Sequence, residues 1–131
     1  MACKIYFFDL KECEKKILEN NKFDNFEIIP FEWSLNPQTI SHLSDEDFGK
    51  AMMICVDKNS EISPDIIDKF KNLRLVSTRS VDISHIDLKK CCEKNIAIIN
   101  IESEMDCEGD LKALFAGMSS YLCGAKDYRI I

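Results

Sequence analysis

Glycine is scarce in this chain: Gly49, Gly109, Gly117 and Gly124 are the whole complement. No arrangement of them makes a G-x-G-x-x-G or a G-x-x-x-x-G-K-S/T, so neither common nucleotide-binding loop is written here. Positive charge is also short, with 17 Lys and Arg against 23 Asp and Glu and a formal charge of −6. That balance leaves no basic field for a phosphate backbone or an anionic lipid surface, and it argues against nucleic acid and membrane as partners. The longest apolar run, Ala51 to Val56, is far below the roughly 18–20 residues of a membrane span. The N-terminus, MACKIYFFDLKE, lacks the charged segment, apolar run and cleavage site of a secretory leader. Cysteine is plentiful, with seven residues, but the number is odd and no C-x-x-C pair occurs. Reduced thiols, a cytoplasmic setting and no metal site are expected.

Apolar residues make up 46% of the 131, which is enough for one core and predicts a single domain over residues 1–131. Lys4 to Asp9 reads as a strand, and Leu10, Cys13, Ile17 and Leu18 then recur at helical spacing. Phe26 to Trp33 reads as a second strand, which Pro30 assigns to a sheet edge because proline cannot donate to a ladder. Asn36 and Pro37 signal a helix carrying Ile40 and Leu43 inward, with Asp45 to Gly49 polar and loosely defined. Ala51 to Val56 is apolar without alternation, as in a central strand covered on both faces. Ser63 and Pro64 open a helix with Ile66, Ile67 and Phe70 inside, before a fourth strand from Leu73 to Thr78. Asp87 caps a helix with Leu88, Cys91 and Cys92 inside, followed by a fifth strand, Ile96 to Ile101. Leu111, Leu114, Phe115, Met118 and Leu122 mark the last helix, ending at Gly124.

Strict alternation of strand and helix implies an α/β, flavodoxin-like three-layer sandwich whose five-stranded parallel sheet has the order 2-1-3-4-5. Ligands of such sheets bind beyond the carboxyl ends of the strands. The residues placed there are Asp9, Asp57, Thr78 to Ser84 and Ile101 to Glu104.

The stretch Leu73 to Ile101, LRLVSTRSVDISHIDLKKCCEKNIAIINI, carries S-T-R-S-V-x-I-x-H-I-D-L and then E-K-N-I-A-I opening the next strand. It resembles the end of the substrate-binding, or catalytic, domain of D-isomer-specific 2-hydroxyacid dehydrogenases of the D-lactate dehydrogenase type. KIYFFDLKECEK and SPDIIDKFKNLR extend the likeness more loosely toward the N-terminus. The resemblance implies substrate-carboxylate binding by backbone N–H groups of a Val-Gly step, which falls on Val81 and Asp82. Aspartate thus stands where the family has glycine, and its charge would repel an anionic 2-oxo acid. An aromatic that helps hold substrate in the family falls on Glu104. The catalytic Arg, Glu and His and the dinucleotide loop of the family belong to a nicotinamide domain without counterpart in this sequence.

The resemblance therefore implies a stand-alone, non-catalytic binding or regulatory module with no cofactor, its partner a small 2-oxo or 2-hydroxy acid or another protein. One alternative is part of an NAD-dependent D-2-hydroxyacid dehydrogenase completed by a second chain or belonging to a longer one. Another is a receiver-like signalling domain, because Asp9, Asp57 and Thr78 occupy the strand ends where receivers place their acidic cluster, phosphoacceptor and switch Thr. The closing GAKDY fits that alternative, but no lysine follows the fifth strand. Asp82, Glu102, Glu104, Asp106 and Glu108 form an acidic group that reads as a solvated rim before the last helix, with a divalent cation or a basic partner as the alternative. Of the cysteines, Cys13, Cys55, Cys91 and Cys92 are expected in the core and Cys107 as the most exposed. Phe31 and Trp33 are expected to fill the core.

Overall fold

The computed structural model describes residues 3–20, 23 and 26–122. Strands β1 (Cys3–Phe7), β2 (Phe26–Pro30), β3 (Met53–Val56), β4 (Leu75–Thr78) and β5 (Ala97–Ile99) form one parallel sheet in the order β2-β1-β3-β4-β5. That is the expected order, with β3 between β1 and β4. The β2 strand lies at the edge and pairs only with β1, and Phe31 resumes the ladder by donating its N–H to the Phe7 carbonyl at 2.8 Å. Successive N–H groups point to opposite sides of a strand, so the proline nitrogen faces the open edge and no bond is lost.

Helices α1 (Glu12–Asn20), α2 (Asp45–Lys50), α3 (Pro64–Lys69), α4 (Leu88–Glu93) and α5 (Cys107–Leu122) cover both faces. The pleat separates their cores. Ile5, Phe7, Met53, Cys55, Leu75 and Ile99 pack with Leu111, Leu114, Phe115 and Met118 of α5 and with Ile17 and Leu18 of α1. Tyr6, Ile54, Val56, Val76 and Ile98 point the other way, to Phe48, Ile66, Ile67, Phe70 and Cys91. Burial on both faces is why the β3 sequence shows no alternation. Phe31 stacks on Phe8 at a centroid distance of 4.9 Å and Trp33 meets Phe8 edge-on at 5.2 Å, and both so join the second core, as expected.

The helix ends follow local chemistry. Ser63 and Asp87 accept N–H groups from Ile66 and Lys90, capping α3 and α4 where the sequence places caps. Asn95 terminates α4 with a left-handed φ of 58° while the Ile96 N–H returns to the Cys91 carbonyl at 2.8 Å.

Several expectations are corrected. Asn36 does not start a regular helix: its side chain accepts from the N–H groups of Gln38 and Thr39, making a turn before a 3-10 segment at Ile40–His42. The helix lies further on, where Ser44 and Asp47 cap each other reciprocally at the start of α2. Cys13, Leu88, Cys92 and Leu122 are exposed rather than inward. Each of these helices buries a stripe narrower than its run of apolar residues. Cys107 is half-buried, and Cys13 and Cys92 are the exposed thiols. Gly124, the GAKDY segment and Cys123 lie outside the described residues.

Candidate functional site

The strand order reverses between β1 and β3, and their carboxyl ends form the crevice in which ligands of such folds collect. Asp9 stands there with a left-handed φ of 60° and is 8% exposed. Its Oδ2 accepts the Asp57 N–H at 2.9 Å and the Ser60 hydroxyl at 2.6 Å, and its Oδ1 accepts the Ser34 hydroxyl. This carboxylate ties three loops together. Asp57 is sealed by Lys11, whose Nζ lies 2.5 Å from Oδ2, and by the Lys58 N–H at 2.7 Å. Burial pushes the Asp57 carboxyl up, but the bonds from Lys11 and the Lys58 N–H outweigh it and hold the group below its ordinary value.

The S-T-R-S run supplies the next wall. Thr78 and Ser80 share a hydrogen bond of 2.7 Å, and His85 Nε2 lies 3.0 Å from the Thr78 hydroxyl. Burial lowers the His85 pKa against the attraction of Asp82, Asp57 and Asp9, and its buried Nδ1 has no partner among the described residues. Arg79 turns beneath the sheet end to Glu14 of α1, with Nε 2.6 Å from Oε2. Sequence reading did not single out Glu14 or Lys11. The available signal for Glu14 was its place three residues after Lys11, whose N–H it accepts at 2.9 Å in the manner of a cap.

Val81 and Asp82 are exposed on the loop after β4. The loop is held from below, because Asn100 donates to the Val81 carbonyl at 2.8 Å and Ser80 to the Asp82 carbonyl at 2.7 Å. Asp82 itself accepts the Ser84 hydroxyl at 2.7 Å and the Ser84 N–H at 3.2 Å, which keep it ionised below the ordinary range. Glu104 is exposed in the segment between β5 and α5 at the same sheet edge. The contacts of the β4 loop with that segment run through Asn100 and Ile101, the latter donating to the Ser80 carbonyl at 3.5 Å.

The family model for the D-isomer specific 2-hydroxyacid dehydrogenase catalytic domain matches residues 5–105. The chain belongs to that family. It is 31% identical over 87 residues to 2-hydroxyacid dehydrogenase homolog 2 of Schizosaccharomyces pombe, a match covering 65% of this chain and 25% of that protein. The apo-structure of D-lactate dehydrogenase from Escherichia coli superposes with a TM-score of 0.66 at 18% identity, over 89% of this chain and 36% of that one. Salmonella D-lactate dehydrogenase gives 0.65 at 17%, over 91% and 38%. These structures share the fold. The chain spans about a quarter of the curated relative and little more than a third of the two structures.

A dinucleotide does not fit the described residues. Gly49 lies in α2 and Gly109 and Gly117 in α5, so none occupies a strand-to-helix turn that could receive a pyrophosphate. Two acids of the rim serve local structure: Asp106 accepts the Gly109 N–H at 2.7 Å, and Glu108 pairs with Lys112 at 3.3 Å. Among the described residues no group of three His, Cys, Asp or Glu is placed to hold a metal ion, and no helix is long and apolar enough to cross a membrane. The receiver arrangement gains nothing from the geometry, because Asp9 is consumed by backbone and hydroxyl donors and Asp57 by Lys11.

Proposed function

We propose that this dehydrogenase-family domain acts as a non-catalytic binding or regulatory module in a reducing, cytoplasmic setting. Its ligand is a small 2-oxo or 2-hydroxy acid held weakly, or a protein partner. The observation carrying this reading is Asp82. At the position that the family gives to glycine stands a carboxylate kept ionised by Ser84, on the loop whose N–H groups would receive the substrate carboxylate. Like charges oppose there, and glycine's freedom to turn two successive N–H groups toward an anion is lost.

The test is a titration of D-lactate, pyruvate and oxamate into the wild type and into the Asp82→Gly, Glu104→Tyr double variant, followed by NMR. Binding is expected to strengthen in the variant, and the wild type is expected to show no NADH oxidation with pyruvate. Equal binding by the two proteins would refute the role given to Asp82 and Glu104.

A second reading, one part of an NAD-dependent D-2-hydroxyacid dehydrogenase completed by further sequence, draws support from the fraction of its relatives that the chain spans. It predicts a nicotinamide-domain sequence in the same or an adjacent reading frame.

A further inference from the structure

We propose that His85 is a proton-sensitive latch on the loop Asp82–Ser84: neutral, it completes a one-way hydrogen-bond relay that holds the loop to the sheet end, and protonated, it releases the loop. The direction of the relay follows from its far end. The Asp82 carbonyl can only accept, so the Ser80 hydroxyl, 2.7 Å away, gives its one proton there. Ser80 then offers only lone pairs to Thr78, and the Thr78 hydroxyl donates across their 2.7 Å contact. Thr78 in turn can only accept from His85 Nε2, 3.0 Å away. Neutral His85 is therefore the Nε2–H tautomer, with a bare lone pair on Nδ1.

The surroundings of Nδ1 make this tautomer the one state that fits. Nδ1 is buried and has no partner among the described residues, while Thr78 and Ser80 are themselves buried. A lone pair left there forgoes one hydrogen bond, but a second proton would place a charged donor in the same spot with nothing to receive it. The backbone cannot move to help, because the Ile62 N–H donates to the His85 carbonyl at 2.8 Å and the Asp87 N–H to the Ile62 carbonyl at 3.0 Å. Relief comes from the side chain swinging out, and the Nε2 bond to Thr78 is lost with it.

The charges around the ring set the direction of that swing. Asp82 on its own loop, Asp57 after β3 and Asp9 after β1 attract the imidazolium. Asp9 and Asp57 are buried and already hold donors, among them the Ser60 hydroxyl and the Lys11 ammonium, whereas Asp82 is exposed. On the two segments joined by the Ile62–Ile86 bridge, Glu61 is exposed and Asp87 is committed to the Lys90 N–H at 2.8 Å. The protonated ring is drawn toward Asp82 and water, away from Thr78. Val81 keeps a separate tie, the Asn100 side chain on its carbonyl at 2.8 Å, so the release is confined to the residues after it. Linkage runs both ways: if the closed loop keeps the proton off His85, opening the loop by other means raises the His85 pKa by the same factor. The latch operates whether or not the loop binds an acid.

The experiment is NMR on the full chain between pH about 7.5 and about 5, where histidine titrates and Asp82 stays ionised. The His85 ring nitrogens are followed together with the backbone order parameters of residues 81–84. At neutral pH the ring should be the Nε2–H tautomer and the loop rigid, with order parameters of about 0.85. As pH falls through the ring's midpoint, Asp82, Ile83 and Ser84 should drop toward about 0.6 while Asn100 stays rigid. Ser80→Ala cuts the relay without touching His85, so its loop should be mobile already at neutral pH and its His85 midpoint should rise toward about 6.5. His85→Asn should remove the pH dependence of the loop. An Nδ1–H tautomer at neutral pH, a loop that stays rigid around a protonated ring, or a His85 midpoint unchanged in Ser80→Ala overturns the proposal, and the wild-type measurement decides it even where a variant fails to fold.

Discussion

Arg79 and Glu14, 65 residues apart in sequence, form a buried ion pair with side chains 1% and 3% exposed. Besides the 2.6 Å contact from Nε, the guanidinium donates through Nη2 to the carbonyls of Phe8 and Asp9 at 2.9 Å each and to Glu14 Oε1 at 3.2 Å. It also lies over the Phe7 ring, 4.2 Å from its centroid. Burial pulls the Arg79 pKa down, but Cys55 and Glu14 outweigh it and hold the group charged above its ordinary value. Removing one partner leaves the other charge buried and uncompensated, which typically costs about 3–5 kcal/mol. Arg79→Met should therefore lose about that much stability in urea unfolding, and Arg79→Met with Glu14→Leu should recover most of it. A loss below about 1 kcal/mol for the single variant would show that the pair is not the clasp described here.

Asp9 combines a left-handed backbone with three accepted hydrogen bonds. Asp9→Gly keeps the backbone but strands the Asp57 N–H and the two serine hydroxyls, a loss of about 1–3 kcal/mol for buried unsatisfied donors. Asp9→Val should lose more, because a β-branched residue resists a positive φ. Thermal unfolding of both variants checks the ranking, and equal losses would remove backbone conformation from the explanation.

His85 confers a pH dependence of definite sign. Its folded pKa lies below the ordinary value of about 6.5 because burial disfavours the cation. The unfolded chain therefore binds a proton first, so the stabilisation is fully present above pH about 6.5 and is lost as pH falls through the folded value. Urea midpoints at neutral pH and at pH about 5 should differ more for the wild type than for His85→Asn. Identical differences in the two proteins would exclude His85 as a contributor.

Native thiol labelling under reducing conditions should reach Cys13 and Cys92 before the other described cysteines, in place of the Cys107-first order expected from sequence. Burial pushes Cys91 up to about 11 and raises Cys55 as well, so both should label only on unfolding. Peptide mapping after brief alkylation checks this. Early labelling of Cys55 would place an opening at the centre of the sheet.

Local signals in the sequence determined most of the framework. The apolar period separates strand from helix, Pro30 demands an open edge, and Ser63 and Asp87 cap α3 and α4 through N–H groups three residues away. Such features depend on neighbours within one turn or one strand, so they are legible without the fold. Asn36 caps only a single turn, its side chain accepting the Gln38 and Thr39 N–H groups before the 3-10 segment, and the regular helix opens at Ser44 through its reciprocal cap with Asp47. Tertiary structure alone decided that the charged Glu14 goes inside, since nothing near it in sequence shows that Arg79 waits at the end of β4. The same holds for Lys11 on Asp57. Each is a contact across the sheet end, created by parallel strands that bring every carboxyl terminus to one edge, and no spacing along the chain records it.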